Sequence, residues 1–478
     1  MIAFLDKTLA IGLLSVVILA NLAFGSVEPI TLFLVELLIL ALAVLWIVKM
    51  VCEKRILITI PPLIFPLLAL LGLGLAQSLS LTGAAGQMRS LSMDVEATRG
   101  AVIGLFFLIL IFLMTANFFM TVERLRLATI GLVLFGALLA LFALAQHFGG
   151  NGKIYGIREP RYSASPFGPY SNHNHYAGYI GMLIPLALAL LIKRTARGET
   201  LLFYGFAAAL MSVSLIVSLS RGGMISLTAA LIFLMIMAGR ARQSNSPTSH
   251  AEMAAASAGG HLTPRRRSSR VASLKRLALI VTFAIAIVAG ALWLAPERVV
   301  NRVLGPEEAG EQSETFYASR GWIWKDTLTL IKAHPVTGVG LGAYETVYPL
   351  YATSDGALRV NYAHNDYLQI LADGGITGGI IALWFIVLVI RAIGQGIRID
   401  DPLLSAIALG SGSGLVAMLV HSFFDFNLQL PANATLFLFL TAISSSLGAF
   451  SVNPALNRQK PEPVSPARRG AIPIVYGN

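Results

Sequence analysis

Charge is what this chain of 478 residues has least of: 12% of it is Asp, Glu, Lys or Arg, while 56% is apolar. That balance excludes a soluble globular composition. Cysteine is nearly absent as well. Cys52 stands alone, so an intramolecular disulfide is excluded, and its neighbours Glu53, Lys54 and Arg55 mark a polar turn rather than a thiol site. Cysteine usage therefore leaves the redox compartment undetermined. Acidic residues number 24 against 35 basic ones. The basic residues gather in short connections between apolar runs, so the excess reads as membrane topology and not as a nucleic-acid surface.

What the chain has in quantity is long apolar sequence. A helix needs about 20 apolar residues to cross the hydrocarbon. Twelve runs qualify: 8–25, 29–51, 56–78, 100–120, 128–147, 175–192, 201–219, 223–239, 277–295, 375–392, 403–423 and 431–450. Barrel strands would alternate over shorter segments. The expected fold is an all-α polytopic membrane protein of about twelve transmembrane helices. The first run ends in Ala23-Phe24-Gly25, a sequence that suits signal peptidase, but the weak charge before it favours a retained anchor.

With the N-terminus inside, the turns at 52–55, 121–126, 193–200, 240–276 and 391–401 and the C-terminal tail face the cytoplasm, and every one carries Lys or Arg. Residues 1–295 then hold spans one to nine, including a disordered basic loop at 240–276. Residues 296–374 form a large periplasmic loop carrying short helices, 375–450 hold spans ten to twelve, and 451–478 form a disordered cytoplasmic tail. The basic loop reads as a connector able to touch anionic lipid.

Polar residues suited to chemistry collect on the opposite face. In Ser218-Leu219-Ser220-Arg221-Gly222-Gly223, Ser220 is placed to cap the next helix. Arg221 adds a planar cationic fork to the free amides there, which suits a phosphate or diphosphate; an arginine snorkelling to headgroups explains it equally well. Arg320 is expected to open a second helix, because Ile323, Thr327, Leu330 and Ile331 fall at helical spacing and His334-Pro335 ends the run. Trp322 and Trp324 are expected to seat that helix on the membrane surface.

His364 is expected to begin a short helix whose apolar positions are Leu368 and Leu371 and which ends at Gly374-Gly375. Imidazole is suited to accept a proton near neutral pH. A capping or headgroup-binding histidine is the plainer alternative, and Asn365, Asp366 and Tyr367 alongside favour the chemical one. Ser171-Asn172-His173-Asn174-His175-Tyr176 enters span six, and His421-Ser422-Phe423-Phe424-Asp425-Phe426-Asn427 leaves span eleven. His421 and Asp425 at membrane depth read either as functional groups or as a hydrogen-bonded structural pair. His173 and His175 do not share a helical face and no Cys or carboxylate cluster joins them, so no metal site is expected.

Taken together, these motifs resemble the O-antigen ligase and polymerase superfamily of bacterial membrane glycosyltransferases over roughly residues 100–450. His364-Asn365 followed by Gly375 and Gly378 is similar to the ligase pattern. Ser220-Arg221-Gly222 resembles the family's Ser-Arg-Gly turn, Arg320 to Gly340 its Arg, Trp and His-Pro-x-x-Gly-x-Gly segment, and Asn172 to Gly178 its Asn-x-Asn element. The resemblance implies a GT-C-type, metal-independent enzyme of the bacterial inner membrane, without cofactor. It would move a glycan from undecaprenyl diphosphate to an acceptor hydroxyl, on lipid A core or a similar glycolipid or glycan, at the periplasmic face.

Carried over by motif, Arg221 and Arg320 hold the diphosphate and His364 activates the acceptor, with Asn172, Asn174, Asn365, Asp366, Tyr367, His421 and Asp425 in support. The loop at 240–276 has no counterpart in that pattern. The His364 motif favours a ligase, with a polymerase of the same superfamily as the alternative. Twelve spans also suit a secondary transporter, against which stand spans poor in buried charge and the absence of visible inverted halves.

Overall fold

The computed structural model describes residues 1–56, 58–82, 88–159, 165–244, 310–353 and 359–452. Within them, ten helices are long and apolar enough to cross a membrane. They are α1 (Ile2–Leu22), α2 (Pro29–Glu53), α4 (Val95–Phe118), α5 (Val122–Gly149), α6 (His173–Ile192), α7 (Glu199–Val217), α8 (Arg221–Ser244), α11 (Asp366–Gly396), α12 (Pro402–His421) and α13 (Pro431–Val452). The polytopic all-α reading holds. The expected span at 277–295, the loop at 245–276 and the tail from 453 lie outside the described residues.

Two expectations need correction. The third run begins later than hydropathy indicates: α3 covers Ile64–Ser78, because Pro61 and Pro62 leave the apolar residues before them without a helix. The segment after it also contains a small antiparallel pair, Ser80–Thr82 with Met88–Ser90, which no span analysis would find.

Small residues set the interior. In α6, α12 and α13 the apolar windows are 89%, 78% and 94% buried, against 22% in α11, so these three helices are the inner layer. The run Gly410-Ser411-Gly412-Ser413-Gly414 makes this possible. A Cβ on Gly410 would lie 2.7 Å from the Leu186 Cα, and one on Gly414 2.3 Å from the Met182 carbonyl oxygen. Close backbone approach is how membrane helices gain packing energy when hydrocarbon offers no contrast with lipid.

The two ends of the bundle differ. At one, Asp6 meets Arg124 at 2.9 Å and Lys49 at 3.3 Å, and the Lys193 ammonium donates to the Ser405 hydroxyl at 3.0 Å. At the other lie the N-termini of α6, α8 and α11 and the C-terminus of α12. The basic turns and the polar motifs are thereby segregated to opposite ends.

The segment before α11 has its own core. Helix α9 (Gly310–Ala333) packs Ile323 and Leu330 with Val339, Tyr344, Val347 and Tyr348, the last three on or beside α10 (Tyr344–Val347). Buried Asp326 fixes the connection, accepting from the Thr353 amide and hydroxyl, both at 2.9 Å, and from the Tyr348 hydroxyl at 3.2 Å.

The His-Pro-x-x-Gly-x-Gly stretch then straps this unit to a break in α11. At Gly375, φ is +60° and ψ −158°. The amides freed by the break donate outward: Ile376 to Pro335 O at 2.8 Å and Thr377 to Val336 O at 3.2 Å. In return Val339 donates to Ala372 O and Gly340 to Asp373 O, both at 3.0 Å. The short helix expected after His364 therefore ends at Gly374-Gly375, as the sequence places it, and the tenth span follows directly after the break.

Candidate functional site

The start of α11 shows why this sequence puts His364 where it is. Asn365 is the cap, its side-chain oxygen accepting from the Tyr367 amide at 2.9 Å and the Leu368 amide at 3.1 Å. His364 precedes that cap and is not itself one. It has φ +50°, a left-handed conformation rarely adopted by a residue with a Cβ and held only where surroundings enforce it.

The enforcement is visible. The Trp324 indole N–H donates to Ala363 O at 3.0 Å, and the Ala363 amide donates to the Gln369 side chain at 2.8 Å. Trp324 thus packs against the loop that carries His364, while Trp322 is 54% exposed.

Asp366 ties the same helix start to the turn after α12. Its amide donates to Ser422 O at 2.8 Å, and its carboxylate accepts from the Ser422 hydroxyl at 2.8 Å and the Leu428 amide at 3.2 Å. Tyr367 adds a bond to Leu419 O at 2.7 Å. These clips bring residues 422–428 under His364.

The result is a contact between His364 Nδ1 and Asp425 Oδ1 at 3.2 Å. A carboxylate only accepts, so Nδ1 carries the proton and Nε2 is the nitrogen left for a substrate. The other oxygen, Oδ2, lies 3.9 Å from Arg320 Nη2. Burial pushes the Asp425 carboxyl up, but the hydrogen bond and charge of His364, followed by His175 and Arg320, outweigh it and hold the group well below the usual carboxylate range. The reading of His421 and Asp425 as a hydrogen-bonded side-chain pair is corrected here: the ring partner of Asp425 is His364, and its link to His421 is a backbone bond at 3.1 Å.

Arg320 reaches this carboxylate from the interior of α9, eleven residues into a helix that opens at Gly310. The expectation that it opens a helix fails because 310–319, although polar, continue the same helix. The predicted end before His334 is correct.

Arg221 does open α8. The Ser220 hydroxyl caps it, accepting from the Gly223 amide at 3.1 Å and donating to the Asn174 side chain at 2.7 Å. Asn172 caps α6 through the Asn174 amide at 2.9 Å. Gly222 lets α8 touch the turn after α12: a Cβ there would stand 3.1 Å from His421 Nε2 and 3.0 Å from Phe424 Cβ. Arg221 is exposed, and it is the next residue, Gly222, that lies against the turn after α12.

Sequence reasoning named His175 and His421 but not their burial; among the described residues His421 has neither ring nitrogen hydrogen-bonded and His175 lacks a partner at Nε2. Two further features it missed altogether. Phe426 is a hub for rings, stacked on Tyr362 and edge-on to His364 and His175. A buried relay runs from Asn21 to the Tyr170 hydroxyl at 2.8 Å and on to Asn433 at 2.7 Å. Asn433 in turn donates to His175 O at 3.0 Å and the Asn427 side chain at 2.8 Å. Gly178 leaves room for it, since a Cβ there would be 2.4 Å from Asn427 Oδ1.

The arrangement is an imidazole oriented by a buried carboxylate whose other oxygen lies 3.9 Å from the Arg320 guanidinium. Residues 206–383 match the family model described as O-Antigen ligase. No curated protein matches the chain. The matched stretch supplies Arg221, Arg320 and His364, while Asn172, Asn174, His175 and Asp425 come from its flanks.

Proposed function

We propose that this chain, which through residues 206–383 belongs with the O-antigen ligase superfamily, transfers a glycan from undecaprenyl diphosphate to an acceptor hydroxyl. The observation that carries the reading is Asp425, with one oxygen on His364 and the other toward Arg320. In the proposed step, His364 Nε2 takes the acceptor proton as the acceptor oxygen bonds to the anomeric carbon. The bond from that carbon to the diphosphate breaks, and the charge left on the diphosphate is met by Arg320 and Arg221. Cationic forks placed there act on charge that grows as the bond breaks, so they stabilise the transition state more than the bound donor.

The Lys and Arg distribution supports a periplasmic site, cytoplasmic termini and residence in the bacterial inner membrane. Ligation is favoured over polymerisation by the His364-Asn365 pattern with its following glycines. The test is deletion followed by sizing of carrier-linked glycan. A ligase leaves long polymer on the carrier, unattached to its acceptor. Accumulation of a single repeat unit would make the protein a polymerase, and unchanged glycan with altered solute uptake would make it a transporter.

A further inference from the structure

Asp425 Oδ1 has two donors, His364 Nδ1 at 3.2 Å and the amide of the next residue, Phe426, at 2.9 Å. Where that oxygen stands therefore depends on how the turn is held just after Asp425. Asp366 holds it from α11, through Ser422 and Leu428. A second hold comes from α13. Asn433 donates to the Asn427 side chain at 2.8 Å and to His175 O on α6 at 3.0 Å, and its own oxygen accepts from the Tyr170 hydroxyl at 2.7 Å. A primary amide has two N–H groups, so one residue serves both acceptors.

Both acceptors bear on Phe426. Asn427 follows it in the chain, and the His175 ring lies 4.9 Å from the Phe426 ring, which also meets the His364 ring at 4.8 Å. Asn433 and Asn427 are fully buried. A buried amide that uses its oxygen and both N–H groups specifies one arrangement of the segments it joins, where an apolar side chain of the same size would tolerate several.

We propose that Asn433 is a positioning residue for the reaction: through Asn427 and the Phe426 amide it fixes Asp425 Oδ1 where that oxygen selects the Nδ1–H form of His364. It touches no substrate. The kinetic consequence rests on the transferase reading above, whereas the choice of tautomer is a property of the protein alone.

The experiment is nitrogen-15 NMR of the full-length protein, labelled at its eight histidines and purified in detergent, at a pH where imidazole is neutral. The His364 signals are identified by their loss in His364→Gln. The parent should carry the His364 proton on Nδ1. In Asn433→Leu and in Asn427→Ala it should move to Nε2, because the hydrogen bond that selects Nδ1–H is lost. Rates come from protein reconstituted into membranes of a deletion strain, which supply donor and acceptor together. In each variant kcat should fall about 10- to 100-fold with KM unchanged, the usual cost of a displaced catalytic group. The double variant should lose no more than the more severe single one, as for two residues acting through one contact. Ser446→Ala is the control: it removes a buried bond of the same helix, to Ala116 O at 3.1 Å, and should lower the melting temperature while leaving tautomer and kcat parental.

An Nδ1–H signal that is absent from the parent, or unchanged in both Asn433→Leu and Asn427→Ala, overturns the proposal. So does a double variant in which the two losses multiply. Should Asn433→Leu fail to fold, Asn427→Ala decides alone, since it takes away the acceptor and leaves Asn433 in place. Failure of the base reading looks different: the tautomer would still follow Asn433, while transfer by these variants and by His364→Ala stayed normal.

Discussion

His364 and Asp425 meet at 3.2 Å with unequal burial: the acid side chain is 1% exposed and the imidazole 22%. The buried partner lies in a turn that Asp366 clips to the start of α11, and the histidine is the more accessible of the two. Burial of a carboxylate is costly unless it is paired and hydrogen-bonded. Here the pairing also selects the tautomer of the group that would do the chemistry.

Replacement of His364 by Ala should leave binding of lipid-linked donor near parental and reduce transfer by roughly 100- to 10,000-fold, the usual range for a positioned base. Single-turnover transfer and donor binding, measured on the same purified variant, check this. A variant that transferred at the parental rate would make His364 a structural residue.

For Asp425→Asn the loss should fall on kcat rather than on KM for the donor, because the amide fills the same volume but no longer selects the Nδ1–H tautomer. The acid limb of stability should change too. The folded carboxyl titrates below its unfolded value of about 3.9. Its contribution is therefore complete above that value and lost as pH falls through the lower, folded one. Thermal melts between pH 6 and pH 3 should fall less steeply in the variant; parallel curves would refute the linkage.

Changing Arg320 or Arg221 to Lys keeps the charge and loses the planar fork. Donor binding should weaken and transfer fall in both. Titration with geranyl diphosphate reads the first effect directly. Equal affinity in parent and both lysine variants would show that a point charge is sufficient, and bidentate binding would be withdrawn.

Gly375→Ala should be strongly destabilising without touching any proposed site residue. The backbone at φ +60° and ψ −158° is a region for glycine, and the new Cβ would lie 2.5 Å from the Val336 carbonyl group. Gly72→Ala, with no atom within 4 Å of its Cβ, is the control and should be neutral or slightly stabilising. The comparison needs only melting temperatures in detergent, and equal midpoints would show that the break in α11 is not imposed by this glycine.

The spans were legible because membrane insertion is decided by local hydrophobicity, a property of each window alone. That same property misled at 56–63, which is apolar yet not helical because of Pro61-Pro62. Caps were legible at Ser220 for the same local reason. The helix carrying Arg320 was misread because its first turns are polar and carry no apolar stripe. The pairing of His364 with Asp425 was hidden altogether: 61 residues separate them, and two helical elements with the intervening turns must fold before they meet. Individual residues could be nominated, but their partners depend on packing.

The relay from Asn21 through Tyr170 to Asn433 joins the first described helix to the last, and this sets a schedule. At about 5 to 20 residues per second of synthesis, the 61 residues between His364 and Asp425 take roughly 3 to 12 seconds to deliver. Through that interval Arg221, Arg320 and His364 already exist on the nascent chain, but the acid that orients the base does not. Asn433, which steadies the turn, follows later still. On the proposed function, a partly inserted chain would present Arg221, Arg320 and His364 before the acid that orients the imidazole, and transfer would begin only once residues 422–433 are in place.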